Sequence, residues 1–280
     1  MLPFFLGTLS LVFLRWRRRG AVPGADIPRW AIPVVGALAI LPGDVLVRAG
    51  PPPLWPVAGA DRVVHAAAVL MLLAIAESQV RARSAVAFAL RALAAGAAFW
   101  ITLGVRIPAF WTVAEGVAWI GAFALAAVAI VTALERAPRV EAGAVLLLCS
   151  GGAAAVLVGS GSTHLAQLAG GVGAALGAMM VVWLIAGPFN TGGGVGVCAM
   201  LLATLLLCGH YYAGDGIPLA QTLCVALAPL AVLVGRLPRL ARLRPWKRWA
   251  VVAVVGALPV AAAAGMAIAG AKSEPAGYAE

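Results

Sequence analysis

Charge is scarce in this chain of 280 residues: only 11% are Asp, Glu, Lys or Arg, where a soluble globular domain carries roughly 25%. Acid is scarcer than base, with 10 Asp and Glu against 20 Lys and Arg. That shortage excludes an ordinary water-soluble fold, whose surface must be wetted by charged side chains. Cysteine is also rare. The 4 cysteines, Cys149, Cys198, Cys208 and Cys224, lie in apolar runs with no C-x-x-C or Cys/His ligand spacing, so they read as small polarisable packing groups rather than disulfide or metal partners. The sequence has no H-E-x-x-H, H-x-x-E-H or G-x-S-x-G, which removes the familiar local signatures of metalloproteases and serine hydrolases. "NTGGGVGV" at 190–197 lacks the Lys-Ser/Thr of a phosphate loop, and reads as a connection between helices.

Apolar length is what the chain has instead. Hydrophobic residues make up 63% of it, gathered in runs of the roughly 17 to 25 residues that cross about 30 Å of hydrocarbon as helix. The expected fold is all-α: a polytopic transmembrane helix bundle of nine spans at 30–48, 62–80, 85–105, 109–134, 142–159, 163–187, 194–213, 218–235 and 249–270. The opening "MLPFFLGTLSLVFL" has 14 residues and reaches about 21 Å at about 1.5 Å per residue. It is read as a short tenth span or an interfacial anchor. Its arginines follow the apolar stretch in "RWRRRG", the reverse of a cleaved signal peptide. One integral membrane domain over 1–280 results: an apolar anchor and basic cytoplasmic loop at 1–29, the bundle at 30–270, and a short outer tail at 271–280.

The basic residues write the orientation. With 15–29 cytoplasmic, that side receives Arg15, Arg17, Arg18, Arg19, Arg29, Arg81, Arg83, Arg136 and Arg139. It then receives Arg236, Arg239, Arg242, Arg244, Lys247 and Arg248. The other side holds Arg48, Arg62, Arg106 and Lys272, and Arg91 falls inside a span. Alternate loops agree in sign, as the positive-inside rule requires, and the C-terminus comes out non-cytoplasmic. The net charge of +10 is therefore an orientation signal rather than a nucleic-acid footprint. Most tryptophans lie near predicted span boundaries, and only Trp119 is mid-span. An Ala-, Arg- and Gly-rich composition suggests a GC-rich bacterial genome, hence an inner membrane.

Helix contacts should rest on small residues, since lipid gives helices no hydrophobic drive to associate. "SGGAAAVLVGSGS" and "AGGVGAALGA", with Gly173 and Gly177 in a G-x-x-x-G, suit packing. A weak internal repeat, "RWAIPVVGAL" against "RWAVVAVVGAL", is of the kind found in some transporters. Prolines 33, 42, 229 and 259 read as breaks within spans.

Ionisable groups inside spans are expensive, on the order of 3 kcal/mol each on insertion scales. Glu77 and Arg91 flank a tight hairpin, and Asp44 precedes Arg48 by four residues; both pairs read as structural ion pairs. The others, His65, Glu115, His164 with Gln167, and His210 with Tyr211 and Tyr212, come from four spans, all within about two turns of the outer boundary. Asp61 lies one turn before His65, and Asp215 and Arg106 are in outer turns. These residues form a candidate polar layer near the non-cytoplasmic face. Each taken singly is more often an interfacial group wetted by water than a working one. Glu115, about 9 Å inside a helix starting at 109, needs a partner from another helix.

Three functions fit. A transporter or permease-like protein would use the polar layer, broken spans and repeat. A non-catalytic subunit of a membrane complex would need only the helix surfaces. A membrane enzyme would use the His, Glu and Asp groups at the outer leaflet. No cofactor is implied. The expected partners are the lipid bilayer and other membrane proteins or a second copy, with no nucleic acid. The substrate, a small molecule or ion, is unspecified.

Overall fold

Alanine, valine and leucine fill long stretches while glycine, proline and arginine gather between them, so the chain divides into helices joined by short turns. The computed structural model describes residues 59–80, 85–186, 193–213 and 216–273, with isolated positions between 34 and 56. The helices are α1 Gly59–Ser78, α2 Ala85–Leu103, α3 Arg106–Phe110, α4 Val113–Arg136 and α5 Arg139–Gly159. They continue with α6 Thr163–Ala186, α7 Gly194–Tyr212, α8 Leu219–Leu227, α9 Pro238–Ala241 and α10 Pro245–Ser273. A 3-10 segment, Ala228–Arg236, follows α8 directly. No strand occurs among the described residues.

Seven of these segments are long and apolar enough to cross a membrane: α2, α4, α5, α6, α7, α8 with its 3-10 continuation, and α10. The protein is a multi-pass, all-helical membrane protein. Helix α1, 20 residues long and carrying Asp61, Arg62 and Glu77, packs against α2 and α7. The expected first span at 30–48 and the stretch 1–14 lie outside the described residues, apart from helical positions such as 34, 35, 40 and 44.

Span boundaries shift by a few residues from the sequence reading, and two departures have clear local reasons. The fourth span begins at Val113 rather than 109, because Arg106–Phe110 forms its own short helix and Thr112 caps a new one. The ninth runs unbroken from Pro245 through Pro259 to Ser273; proline inside a transmembrane helix is tolerated when neighbours compensate the lost hydrogen bond.

Helix α7 is the axis of the bundle. Every residue from Gly194 to Gly209 except Ala203 is buried, as expected of a helix apolar on all sides. It touches α1, α2, α4, α5, α6 and α8. Small residues permit the closest approaches. A Cβ on Gly173 of α6 would meet Ser150 Oγ of α5 at 2.5 Å, and Ser150 Oγ donates to Ala169 O at 2.6 Å.

Contacts sort the helix ends into two sets. At one end Arg62 Nη1 donates to Ile101 O at 3.2 Å, and Tyr212 Oη to Thr102 O at 2.8 Å. At the other, Arg91 meets Glu77 and Glu135, Arg236 Nη2 donates to Ala133 O at 3.3 Å, and Arg248 Nε to Glu141 Oε1 at 2.6 Å. Successive long helices therefore run antiparallel, with the outer polar residues at one end and most described loop arginines at the other.

Candidate functional site

Helix ends leave carbonyls without intrahelical partners, and at the end expected to face outward those carbonyls claim much of the polar layer. The last turn of α2 is satisfied by Arg62 and Tyr212, as above. Tyr211 O, in the last turn of α7, accepts from Arg106 Nη2. His210 Nδ1 donates to Ile217 O at 2.6 Å across the turn that follows. That turn carries Gly216 at φ 72°, where its N–H donates to Ala213 O at 2.7 Å and a Cβ would come within 3.0 Å of His210 O. Glycine fits there because it alone takes positive φ without strain.

Aromatic rings complete this cluster. The Arg106 guanidinium lies 4.5 Å from the ring centroid of Phe110, 5.1 Å from Tyr212 and 5.4 Å from Tyr211. Tyr211 meets Trp111 edge to face at 5.3 Å and His210 at 4.6 Å. Arg106, His210, Tyr211 and Tyr212 are thus brought together, and their polar atoms serve helix ends.

The other sequence candidates lie elsewhere. Glu115 is exposed and forms a capping box: its Oε2 accepts from Thr112 N and Thr112 Oγ1, each at 2.9 Å, and Glu115 N donates to Thr112 Oγ1 at 3.3 Å. The expectation of a partner from another helix is corrected, because a helix starting at 113 puts Glu115 in its first turn. His164 Nε2 donates to Asp44 Oδ1 at 2.9 Å. Asp44 thus has a partner on α6, and Arg48, the partner expected for it on its own helix, lies outside the described residues. His65 Nδ1 donates to Asp61 O at 3.0 Å, one turn back. Gln167 is exposed, and Asp215 lies outside the described residues. Among the described residues no three His, Cys, Asp or Glu gather to hold a metal ion.

Among the described residues the opposite end, which carries most of the described loop arginines, holds the denser charge. Arg91 of α2, buried, donates through Nε to Glu77 Oε1 of α1 at 2.7 Å, and through Nη2 to the same oxygen. Its Nη2 also lies 2.7 Å from Glu135 Oε2, in the last turn of α4. One guanidinium thus faces two carboxylates, both largely covered, with side-chain exposures of 13% for Glu77 and 18% for Glu135. A recess of about 270 Å³, its open mouth included, adjoins them between α1, α2, α4 and α7. Glu77 and Arg91 line it beside Leu70, Val131, Gly196 and Met200. Gly196 keeps α7 close to α4, since a Cβ there would sit 3.1 Å from Val131 Cγ1.

Sequence reasoning had Glu77 and Arg91 together and missed Glu135, which falls just beyond the span read as 109–134. Its signal was available, since a span ending at 136 rather than 134 puts Glu135 inside the helix. A second ion pair, buried Glu141 with half-buried Arg248, was also missed. These residues lie 107 positions apart, so no local pattern links them.

No protein-family model, curated protein or solved structure matches the chain. The class is set by the fold alone: a multi-pass membrane protein in which, among the described residues, charge largely covered by the bundle is densest at the Glu77–Arg91–Glu135 triad.

Proposed function

We propose that this protein is a permease-like transporter of a small ion or solute, in a bacterial inner membrane, with the arginine-rich end cytoplasmic. The carrying observation is the triad: two carboxylates on one arginine, where helices α1, α2 and α4 converge beside a recess. Ionisable groups within membrane helices are retained where they line ion or substrate pathways. A plain structural pair needs one acid and one base; the additional carboxylate leaves a charge for a cargo or coupling ion to answer. In this reading the working polar groups lie near the inner end, and the outer cluster closes the opposite end.

The test uses full-length protein reconstituted on a solid-supported membrane and challenged with concentration jumps of a panel of inorganic ions, amino acids, sugars and organic acids. At least one member evokes a transient current that Glu77→Gln with Glu135→Gln abolishes. Identical traces from wild type and the double variant across the whole panel overturn the reading.

A second reading, a non-catalytic subunit of a membrane complex, is supported by the outer cluster, where Arg62, Arg106, His210 and Tyr212 serve helix ends. Its mark is co-purification of a stoichiometric partner together with unchanged currents in the double variant.

A further inference from the structure

We infer that the seam between α4 and the span formed by α8 and its 3-10 continuation is a site for an anionic phospholipid. One acyl chain lies in a recess at mid-membrane depth, and Arg236 holds the phosphate at the end of the seam. The recess has a volume of about 360 Å³, its open mouth included, and is walled by α4, α5, α7 and α8 with its 3-10 segment. It is separate from the recess beside Arg91 and does not rest on the permease reading. Its walls carry apolar side chains only, many of them small: Ala127 and Ile130 of α4, Cys149 of α5, Ala203 of α7, and Ala226 and Pro229 where α8 becomes 3-10. Ala203 is the one residue between Gly194 and Gly209 that is not buried, so within that stretch the axis of the bundle is uncovered at this recess.

Depth decides what fills it. Pro229 lies seven residues before Arg236, the last residue of the 3-10 segment, which is about 14 Å at about 2.0 Å per residue. Ala127 lies nine residues before Arg136, the last residue of α4, again about 14 Å at about 1.5 Å per residue. Two helices of different rise thus put the recess at one depth, near the middle of about 30 Å of hydrocarbon. Water occupies a cavity only where polar partners hold it, and the side chains of these walls offer none. An acyl chain rooted at the level of the arginines has the length and the chemistry to reach the recess. It also restores the dispersion contacts that an unfilled groove forfeits.

The end of the seam carries the complementary charge. Arg236 is exposed, and its Nη2 donates to Ala133 O of α4 at 3.3 Å, so the guanidinium bridges α4 and the 3-10 segment. That bond uses one of five N–H donors, and a planar fork at the surface matches the paired oxygens of a phosphate. Arg136 at the end of α4 is exposed, as is Arg239 on α9. The acids of the adjoining turns are engaged elsewhere: Glu135 lies 2.7 Å from Arg91, and Glu141 2.6 Å from Arg248. Leu233, one 3-10 turn before Arg236, is 42% exposed and offers a hydrocarbon chain an apolar surface between the fork and the recess. Phosphate-binding fork, apolar seam and recess therefore follow one path, of which a free phosphate ion would fill only the end.

The experiment reconstitutes full-length protein in phosphatidylcholine vesicles with a trace of phosphatidylglycerol bearing a diazirine on its acyl chain, or in parallel of phosphatidylcholine bearing the same group. Photo-adducts are mapped by mass spectrometry. Wild type carries adducts at Ala127, Ile130 and Ala203, with phosphatidylglycerol favoured about fivefold, the share of one basic residue near an anionic lipid. Leu125, 59% exposed on α4, is labelled equally by both lipids. Arg236→Gln removes the preference in the recess, and Arg236→Lys recovers part of it. Ala203→Phe fills the recess and removes its adducts while those at Leu125 persist. A melting temperature shared with wild type shows that the variants fold, and the comparison of the two lipids on wild type stands without them. Equal labelling of the recess by both lipids overturns the site. So do unlabelled recess residues beside a labelled Leu125, whether residues 1–14 or a second copy covers the seam. Inorganic phosphate at millimolar concentration leaves the adducts unchanged; their loss would show a free-anion site and overturn the lipid.

Discussion

Arg106 shows how one side chain can replace several missing partners. It sits between α2 and α4, reaches the last carbonyl turn of α7, and lies against three rings. A charged hydrogen bond contributes about 1.5–3 kcal/mol net, and each cation–π contact about 0.5–1 kcal/mol where water reaches it. Arg106→Ala should therefore destabilise the outer end by about 2 kcal/mol or more, read as a lower midpoint in denaturant unfolding in detergent. Arg106→Lys should recover part of the loss, since it keeps the charge but not the planar fork. Glu115→Ala should leave any transport current at wild-type levels, because Glu115 is exposed and caps its own helix. An effect of Glu115→Ala equal to that of the triad variants would refute that assignment. At this scale, residue types and which of them share an end of the bundle were legible in the sequence and partners were not. The Glu77–Arg91 proximity follows from one short hairpin. The links of Asp44 to His164 and of Arg106 to Tyr211 span more than a hundred residues, and nothing local encodes them.

At the scale of elements, the span from Leu219 to Arg236 departs most from regular helix. Its second half is a 3-10 segment of 9 residues, long for a conformation that rarely exceeds 3–4 residues. Eighteen residues of α-helix would rise about 27 Å, short of about 30 Å of hydrocarbon. With the second half as 3-10, rising about 2.0 Å per residue, the segment reaches about 31 Å and spans it. Pro229, in the first turn of the 3-10 segment, supplies a cause: it removes the N–H that an α-helix would bond one turn back. Pro229→Ala should let the segment revert toward α and shorten. Spin labels at 219 and 236 should then move closer by about 4 Å in pulsed dipolar measurements; an unchanged distance would show that packing against α5 and α10, not proline, sets the geometry. The sequence marked Pro229 as a break, and the apolar runs placed the long helices to within a few residues. It misplaced the start of α4 because "RIPAFWT" is apolar enough to continue a span, while the Thr112 cap that ends that continuation is a single polar residue.

At the scale of the molecule, orientation remains the premise that gives both ends their meaning. The sorting of contacts into two sets fixes which residues share an end, independently of which end faces the cytoplasm. Loop arginines supply that second step, because translocation disfavours positively charged loops. Arg239, Arg242, Arg244 and Lys247 are all exposed near the start of α10, beside the exposed Trp246 and Trp249, a pairing suited to an anionic inner leaflet. Ala109→Cys in α3 and Ala241→Cys in α9, each in a background without the four native cysteines, place one thiol at an exposed position of each end. A membrane-impermeant maleimide added to intact cells should modify the cysteine at 109 and reach the one at 241 only after the membrane is opened. The opposite pattern would turn the bundle over. The Glu77–Arg91–Glu135 triad would then lie toward the outside medium, and the aromatic cluster around Arg106 would lie at the cytoplasmic end.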